Sequence, residues 1–225
     1  MADNNWMVSG DERETVAQRA VALGITGTPD KAAHNLGPIT LGNGKTVTAH
    51  VVHAVDPVIT DGVEAVLIKR KNPPGQGLPA LPGGFMDPVK GGGVESAVQA
   101  AAREAMEEVG VKLSGGTLIG QRNMNRPYDV RTATIDLPQY GIAKDDIFMV
   151  STQAVKFDVP DLRQTKLVAG DDAEPGSAGH FPIATLTRDT MGIADHYDMI
   201  VAAMRAPAPH VPGNRVATSQ LAPGT

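Results

Sequence analysis

Three glutamates that share one face of a predicted helix are the residues of this sequence best suited to chemistry. Glu104, Glu107 and Glu108 are spaced so that they become neighbours on an α-helix. Grouped carboxylates repel one another unless a cation offsets them, and hard divalent cations prefer oxygen ligands. The trio therefore indicates either a site for a cation such as Mg²⁺ or, as the plainer alternative, an acidic face in contact with solvent.

A helix from Ser96 to Val109 is predicted to carry these glutamates. Ser96 followed by Gln99 fits a capping box, and Gly110 is typical of a helix end. The opposite face is apolar and should pack against the core; its members are Val98, Ala101, Ala102, Ala105 and Val109. The helix is thus expected to have one face in the core and the other at the site.

A loop rich in glycine and proline precedes this helix. From Pro73 to Gly93, 12 of 21 residues are Gly or Pro. A long loop inside a compact domain is usually functional, and small residues allow the backbone to approach a ligand closely. We therefore expect this loop to deliver a ligand to the glutamates.

The composition excludes several classes of protein. Of 225 residues 41% are hydrophobic, which is enough for a core, and none is a cysteine, which excludes disulfide scaffolds and thiolate zinc sites. A formal net charge of −5 argues against a nucleic-acid partner. The sequence has no apolar run long enough for a membrane span and no secretory signal at its start, so we expect no membrane partner and a cytoplasmic location.

The order of predicted elements favours an α/β fold, namely an α/β/α sandwich with a mixed β-sheet. Residues 1–46 are expected to form an extension, with a helix that begins at Ser9 and a hairpin that turns at Asn43-Gly44. The main domain should span 47–204, and 205–225 should be a flexible tail. Strands are predicted at 47–58, 63–68, 117–121, 131–137, 148–157 and 179–181, and a last helix at 194–204. His50 and His53 should be ordinary strand residues on opposite faces.

The glutamates belong to a longer string that resembles the Nudix hydrolase family. Glu95 is followed, after seven residues, by Arg103-Glu104-Ala105-Met106-Glu107-Glu108-Val109-Gly110-Val111, and Leu81-Pro82-Gly83-Gly84-Phe85 precedes it. The box of that family has five residues between its Gly and its first Glu, whereas ten separate Gly84 from Glu95. The surplus lies around Asp87–Gly93, and we expect Lys90–Gly93 to form a mobile flap at the mouth of the site.

This resemblance implies a metal-dependent hydrolase of phosphoric anhydrides. Mg²⁺, with Mn²⁺ as a possible substitute, would be bound by Glu104, Glu107, Glu108 and the backbone carbonyl of Gly84. Glu104 and Glu108 would act in catalysis, while Arg103 and Glu95 tie the loop to the helix. Three acids of a later loop are candidates to orient or deprotonate the attacking water, with an ordinary acidic turn as the alternative: Asp171, Asp172 and Glu174.

The flanking segments resemble the ADP-ribose pyrophosphatase branch of the family. ADP-ribose, split into AMP and ribose 5-phosphate, is therefore the leading substrate. The implied substrate-binding residues are Gly83, Gly84, Phe85, Arg70, Arg126, Asp129 and Arg131. Arg126 and Arg131 would hold phosphate oxygens, although isolated charges of this kind are more often surface pairs.

Two other functions remain open from the sequence. The substrate could be a dinucleoside polyphosphate, NADH or a nucleoside triphosphate, because the box sets the metal chemistry and not the choice of base or sugar. The domain could also be a non-catalytic module that senses ADP-ribose. The resemblance also implies a possible homodimer.

Overall fold

The computed structural model describes residues 9–25, 28–121, 130–170 and 173–206. In chain order the elements are α1 (Gly10–Ala22), β1 (Ala33–Thr40), β2 (Thr46–Thr60), β3 (Glu64–Lys69), β4 (Pro79–Ala80), β5 (Gly84–Phe85), α2 (Ala97–Val109), β6 (Thr117–Gln121), β7 (Val130–Thr132), β8 (Ile147–Asp158), β9 (Gly179–Pro182) and α3 (Ala194–Arg205). None of the helices in these ranges has the length and apolar character needed to cross a lipid bilayer.

Two long strands form the centre of a mixed sheet. β2 and β8 run parallel and pair from Ala49 opposite Ile147 to Thr60 opposite Asp158. Every residue of β2 from Ala49 to Thr60 is buried, as is typical of a strand covered on both faces. β6 and β7 pair antiparallel with the far edge of β8.

The other edge of β2 is shared by three antiparallel strands. β1 pairs with the first part of β2, β5 pairs at Ala54 and Val55, and β3 pairs at Thr60. β5 thus lies between two longer neighbours. This placement holds Gly84 and Phe85 beside the middle of the sheet.

Alternation along the central strands builds a core on each face of the sheet. Val55 and Ile59 of β2 pack in one cluster with α2, whereas Val58 packs in another cluster with α3. Successive side chains of a strand point to opposite faces, so α2 and α3 cover opposite sides. The expected α/β/α sandwich with a mixed sheet is confirmed.

The N-terminal residues add to the same sheet. The helix predicted to begin at Ser9 is confirmed as α1, and it starts with a capping box in which Ser9 and Glu12 exchange hydrogen bonds. The predicted turn at Asn43-Gly44 places Thr40 opposite Thr46. Glu12 also accepts a hydrogen bond from the backbone of Gly42 at 2.9 Å, which ties α1 to this hairpin. Residues 1–8 and the predicted tail beyond 206 lie outside the described residues.

The strand predicted over 131–137 is wrong beyond Thr132. A 3₁₀ turn spans Pro138–Tyr140, and Leu137 and Ile142 close it with two backbone hydrogen bonds of 2.8 and 3.2 Å. The partner strand β8 begins at Ile147, opposite Thr132, and the chain already bends at Thr134 and Ile135, before Pro138. The other strands and helices predicted from the sequence are confirmed to within two residues at each end.

β2 carries two buried histidines in different surroundings. His50 lies 3.1 Å from the carboxylate of Asp146. His53 is 1% exposed, and neither of its ring nitrogens has a hydrogen-bond partner among the residues that the structure describes. Its ring meets the ring of His34 edge-on, with centroids 5.2 Å apart. Burial, with a smaller contribution from His34, lowers the pKa of His53 to about 4.

His53 should therefore make the fold sensitive to mild acid. The imidazole of His53 takes up a proton near pH 6.5 in the unfolded chain but only near pH 4 in the folded chain. Its contribution to the free energy of unfolding is therefore fully present above pH 6.5 and is lost as the pH falls toward 4. The loss should be at most about 1.4 kcal/mol per pH unit in that window. His53→Phe, which keeps a buried ring, should flatten the dependence in urea unfolding measured from pH 7 to 4.5. Equal slopes for the wild type and this variant would contradict the assignment.

Candidate active site

A cavity of about 650 Å³ opens where β5, α2 and the start of α3 meet. This volume lies within the range of small-molecule sites in proteins. Its wall includes all three glutamates of the predicted trio, together with Arg103, Gly83 and Gly84. The fold thus brings the glycine loop and the acidic helix to one cavity.

Helix α2 holds its glutamates at different depths. Glu104 and Glu108 are 6% and 7% exposed, whereas the side chain of Glu107 is 55% exposed at the rim. The plainer alternative of a solvent-facing acidic surface is therefore wrong for Glu104 and Glu108. Ala100 on the same side is also fully buried, because loops pack over this face of the helix as well as the core face.

Burial changes the acidity of the deepest carboxyl group. Desolvation raises the pKa of Glu104 to about 7; the charge of Arg103 opposes this, and those of Glu107 and Glu108 add to it. A carboxylate that is costly to ionise in isolation becomes favourable when a cation is close. The protein supplies one such cation from its own chain.

Arg103 belongs to α2, and its side chain reaches from the helix to the loop that ends in β5. Its Nη1 donates hydrogen bonds of 2.8 Å to both Glu104 and Glu107. Its Nη2 donates to the backbone oxygen of Phe85 at 2.8 Å and to Glu95 at 2.6 Å. Burial by itself lowers the pKa of Arg103, but the hydrogen bond with Glu95 and the charge of Glu104 outweigh it and hold this pKa above its ordinary value.

Glu95 also holds the inserted residues in place. Glu95 accepts a hydrogen bond from the backbone of Asp87 at 2.8 Å, and its own N–H donates to the Asp87 carbonyl at 3.1 Å. The insertion between them turns back on itself, and Pro88 pairs with Val94. Of these inserted residues, Asp87 lines the cavity. Gly93, at the other end of the insertion, lies near the backbone of Asp30, because a side-chain carbon built on Gly93 would be 3.8 Å from the Asp30 oxygen. The mobility expected of this segment stays a prediction.

Close packing explains the need for glycine at two positions around the glutamates. A side-chain carbon on Gly84 would lie 2.5 Å from a carboxylate oxygen of Glu104. One on Gly170 would overlap the backbone oxygen of Glu107, and the N–H of Gly170 donates to the Glu108 carbonyl at 2.8 Å. The loops thus come close enough to the helix for backbone and carboxylate oxygens to face one space.

A buried polar group that the sequence analysis did not identify borders the glycine loop. The N–H of Leu81 donates to His196 Nδ1 at 2.9 Å, and His196 Nε2 lies 3.5 Å from Asp56. The hydroxyl of Thr152 donates to the other oxygen of Asp56. One signal in the sequence was available, since Asp56 is an acid within the apolar strand β2, but its partners are distant in sequence.

Aromatic residues line another part of the cavity. Phe85 meets Tyr140 and Phe148 edge-on, with ring centroids 5.6 and 6.1 Å apart. The guanidinium of Arg131 lies over the ring of Phe148 at 5.4 Å. Tyr140 was missed from the sequence because the 3₁₀ turn that carries it, Pro138–Tyr140, lies beyond the strand predicted over 131–137.

The remaining predicted site residues fall into three groups. Arg70 lines the cavity, and its Nε donates to the backbone oxygen of Pro74 at 2.6 Å. Glu174 lies beside Gly77, 3.7 Å from where a side-chain carbon would stand, and does not line the cavity. Asp171, Asp172, Arg126 and Asp129 lie outside the described residues.

The donor atoms fit a hard divalent cation in kind. Within the described ranges, no three acidic or histidine side chains are already arranged as a metal site. Arg103 Nη1 contacts both Glu104 and Glu107 at 2.8 Å. A guanidinium therefore offsets charge that a metal ion would otherwise offset, and the carboxylate oxygens around it are the ligand type that Mg²⁺ prefers.

Arg103→Gln should destabilise the protein by about 2–3 kcal/mol, because charge-assisted hydrogen bonds to both the loop and the helix are lost together. Lys45→Gln is the control, since Lys45 also pairs with a carboxylate, that of Asp145 at 3.6 Å, but the two side chains are 52% and 60% exposed. That exposed pair should contribute less than about 1 kcal/mol. Urea unfolding of both variants checks the contrast, and equal losses would show that Arg103 does not join the two elements.

Comparison with known proteins agrees with this architecture. The family model described as NUDIX domain matches residues 51–181, more than half of the chain. No curated protein matches the sequence significantly.

Several solved structures resemble the fold at low sequence identity. The NUDIX domain of Shewanella oneidensis NrtR, solved with ADP ribose, is 20% identical with a TM-score of 0.41, over 67% of this chain and 84% of that chain. A MutT/nudix family protein from Enterococcus faecalis is 20% identical with a TM-score of 0.43, over 87% and 73%. A bifunctional NMN adenylyltransferase/ADP ribose pyrophosphatase from Francisella tularensis is 20% identical with a TM-score of 0.39, over 85% of this chain but 46% of that longer chain. On the match of the family model, this chain belongs to the Nudix hydrolase family.

Proposed function

We propose that the protein hydrolyses the pyrophosphate bond of a nucleoside diphosphate linked to another group, with ADP-ribose as the leading substrate and AMP and ribose 5-phosphate as products. The observation that carries this proposal is the pair of buried glutamates, Glu104 and Glu108, which line a cavity of about 650 Å³ together with the glycine loop. Membership of the Nudix family supports the reaction class. The choice of ADP-ribose rests on the resemblance of the flanking segments to that branch.

Glu104, Glu107, Glu108 and the carbonyl of Gly84 are the proposed ligands of Mg²⁺, for which Mn²⁺ can substitute. When bound, such an ion offsets the negative charge of pyrophosphate oxygens and makes a water molecule more acidic. The raised pKa of Glu104 fits this role, since its carboxylate needs a cation to remain ionised in a dry site.

Glu108 is the proposed base that orients the attacking water and takes up its proton. Glu104 already accepts a hydrogen bond from Arg103 at 2.8 Å, which favours Glu108 for this role. Arg103 and Glu95 act as positioning residues, because they hold the backbone of Phe85 and Asp87 against the helix. Asp171 and Asp172 remain candidates for the same step.

Cationic side chains at the cavity wall are proposed to bind phosphate oxygens. Arg70 and Arg131 both line the cavity, and guanidinium groups match the geometry of phosphate. Arg126 and Asp129 keep their proposed roles as substrate ligands on the strength of the resemblance alone.

Glu108→Gln should lower kcat for ADP-ribose by about 10³-fold, since it removes the proposed base while preserving the shape of the side chain. Glu14→Gln is the control, because Glu14 is exposed on α1 and contacts Gln18 of the same helix. Turnover should require Mg²⁺ or Mn²⁺ and stop with a chelator. Product analysis in H₂¹⁸O by mass spectrometry locates the phosphorus that water attacks.

A substrate panel decides between ADP-ribose and the other family substrates. It should contain ADP-ribose, dinucleoside polyphosphates, NADH and nucleoside triphosphates, each with either metal. Turnover of another compound alone would reject ADP-ribose but keep the reaction class. Absence of turnover throughout the panel would reject the enzymatic function, and full activity of Glu108→Gln would reject the assignment of the base.

Gly84→Ala should lower kcat/KM by about 10²-fold or more, because the added methyl group meets the carboxylate of Glu104 and displaces a group at the reacting centre. Gly10→Ala is the matched control, since no atom lies within 4 Å of the position its methyl group would take. Melting temperatures of both variants should stay within a few degrees of the wild type. Unchanged activity of Gly84→Ala would show that the close approach to Glu104 has no role in the reaction.

A further inference from the structure

The cavity has two chemically different ends, and the glycine loop runs from one to the other. Leu81 is bonded to His196, Gly84 lies against Glu104, and Phe85 lies against Tyr140. Four residues of extended chain cover about 13 Å. The order along this short segment therefore places the glutamates between a polar end and an aromatic end.

The aromatic end offers a surface for a flat apolar group. Phe85 and Tyr140 are both half-buried and both line the cavity, and Ala54 and Val150 complete the wall beside them. Their rings stand at 75° to each other, which leaves ring faces and edges available for stacking or edge-on contact. Such a wall suits a nucleobase and offers little to a sugar.

The position of Tyr140 is fixed before any ligand binds. Its turn is closed by the paired backbones of Leu137 and Ile142, and Ile142 is 2% exposed. Its hydroxyl lies 3.4 Å from the carboxylate of Asp87, the first residue of the insertion. Because the turn fixes the backbone of Tyr140 and Asp87 contacts its hydroxyl, the ring loses little conformational freedom when it contacts a ligand.

The polar end has the opposite character. Arg70, Asp56 and His196 line the cavity there, and the backbone of Gly192 approaches the Arg70 side chain. Charged and hydrogen-bonding groups of both signs suit a group that carries hydroxyls and a phosphate. If the face of a purine lay against these groups, their polar atoms would remain without hydrogen-bond partners.

We propose that the nucleobase of the substrate lies against Tyr140 and Phe85, and that the sugar phosphate on the other side of the pyrophosphate lies toward Arg70 and His196. Tyr140 thereby determines which half of an asymmetric substrate enters which end. This orientation rests on the proposed function, because it deepens the description of the same site.

The two expected products test the orientation separately and need no catalysis. Binding of AMP and of ribose 5-phosphate is measured by calorimetry with Mg²⁺ present, for the wild type, Tyr140→Ala and Tyr140→Phe. Tyr140→Ala should weaken AMP binding about tenfold or more, which is the usual effect of removing a stacking ring. It should leave ribose 5-phosphate within about twofold. Tyr140→Phe keeps the ring and should retain AMP affinity within about threefold.

Several results would overturn the orientation. They are an equal loss of both ligands by a folded Tyr140→Ala, a selective loss of ribose 5-phosphate, no loss of either, and no detectable binding of AMP to the wild type at millimolar concentration. If melting shows that Tyr140→Ala is unfolded, Tyr140→Leu carries the same test, because it keeps an apolar side chain against Phe85 but has no ring.

The outcome separates this inference from the proposed function. Selective loss of AMP binding without turnover of any panel substrate would leave the orientation in place and reject the hydrolase function. Turnover of ADP-ribose with unselective binding losses would leave the function in place and reject the orientation.

Discussion

Arg103 lies where the loop that ends in β5 meets helix α2, and its N–H groups find acceptors on both. It donates to the backbone of Phe85 and to Glu95 on the loop side, and to Glu104 and Glu107 on the helix. Buried carboxylates are costly unless a cation compensates them, so this one guanidinium lets acidic residues remain in a half-dry cavity. The geometry of the site depends on that compensation.

The sheet imposes a second constraint, on the distance between the glycine loop and helix α2. β2 pairs with β8 on one edge and shares its other edge among β1, β5 and β3, so a two-residue strand is held beside the middle of a buried sheet. From there Gly84 can approach Glu104 so closely that a side-chain carbon would stand 2.5 Å from its carboxylate. Rigid strands and a small residue together position backbone oxygens near carboxylate oxygens.

Much of the architecture could be predicted because its signals are local. The helix start at Ser9, the capping box at Ser96, the turn at Asn43-Gly44 and the strand residues of β2 each give a signal within a few residues, and the corresponding elements formed as expected. The strand predicted beyond Thr132 is wrong because its partner β8 begins opposite Thr132 and the chain then bends at Thr134 and Ile135. The alternative of a solvent-exposed glutamate face is wrong for Glu104 and Glu108, since a helical wheel shows which residues share a face but not which loops cover it.

The sequence by itself determined that three glutamates share one side of a capped helix and that a glycine-rich loop precedes them, because spacing along the chain decides both. The tertiary structure alone decided that Glu104 and Glu108 are buried, that Asp56 and His196 border the loop, and that Tyr140 forms an aromatic wall with Phe85. These contacts join residues far apart in the chain. Their existence depends on strand register and on which loops pack against α2, and no short segment of sequence specifies either.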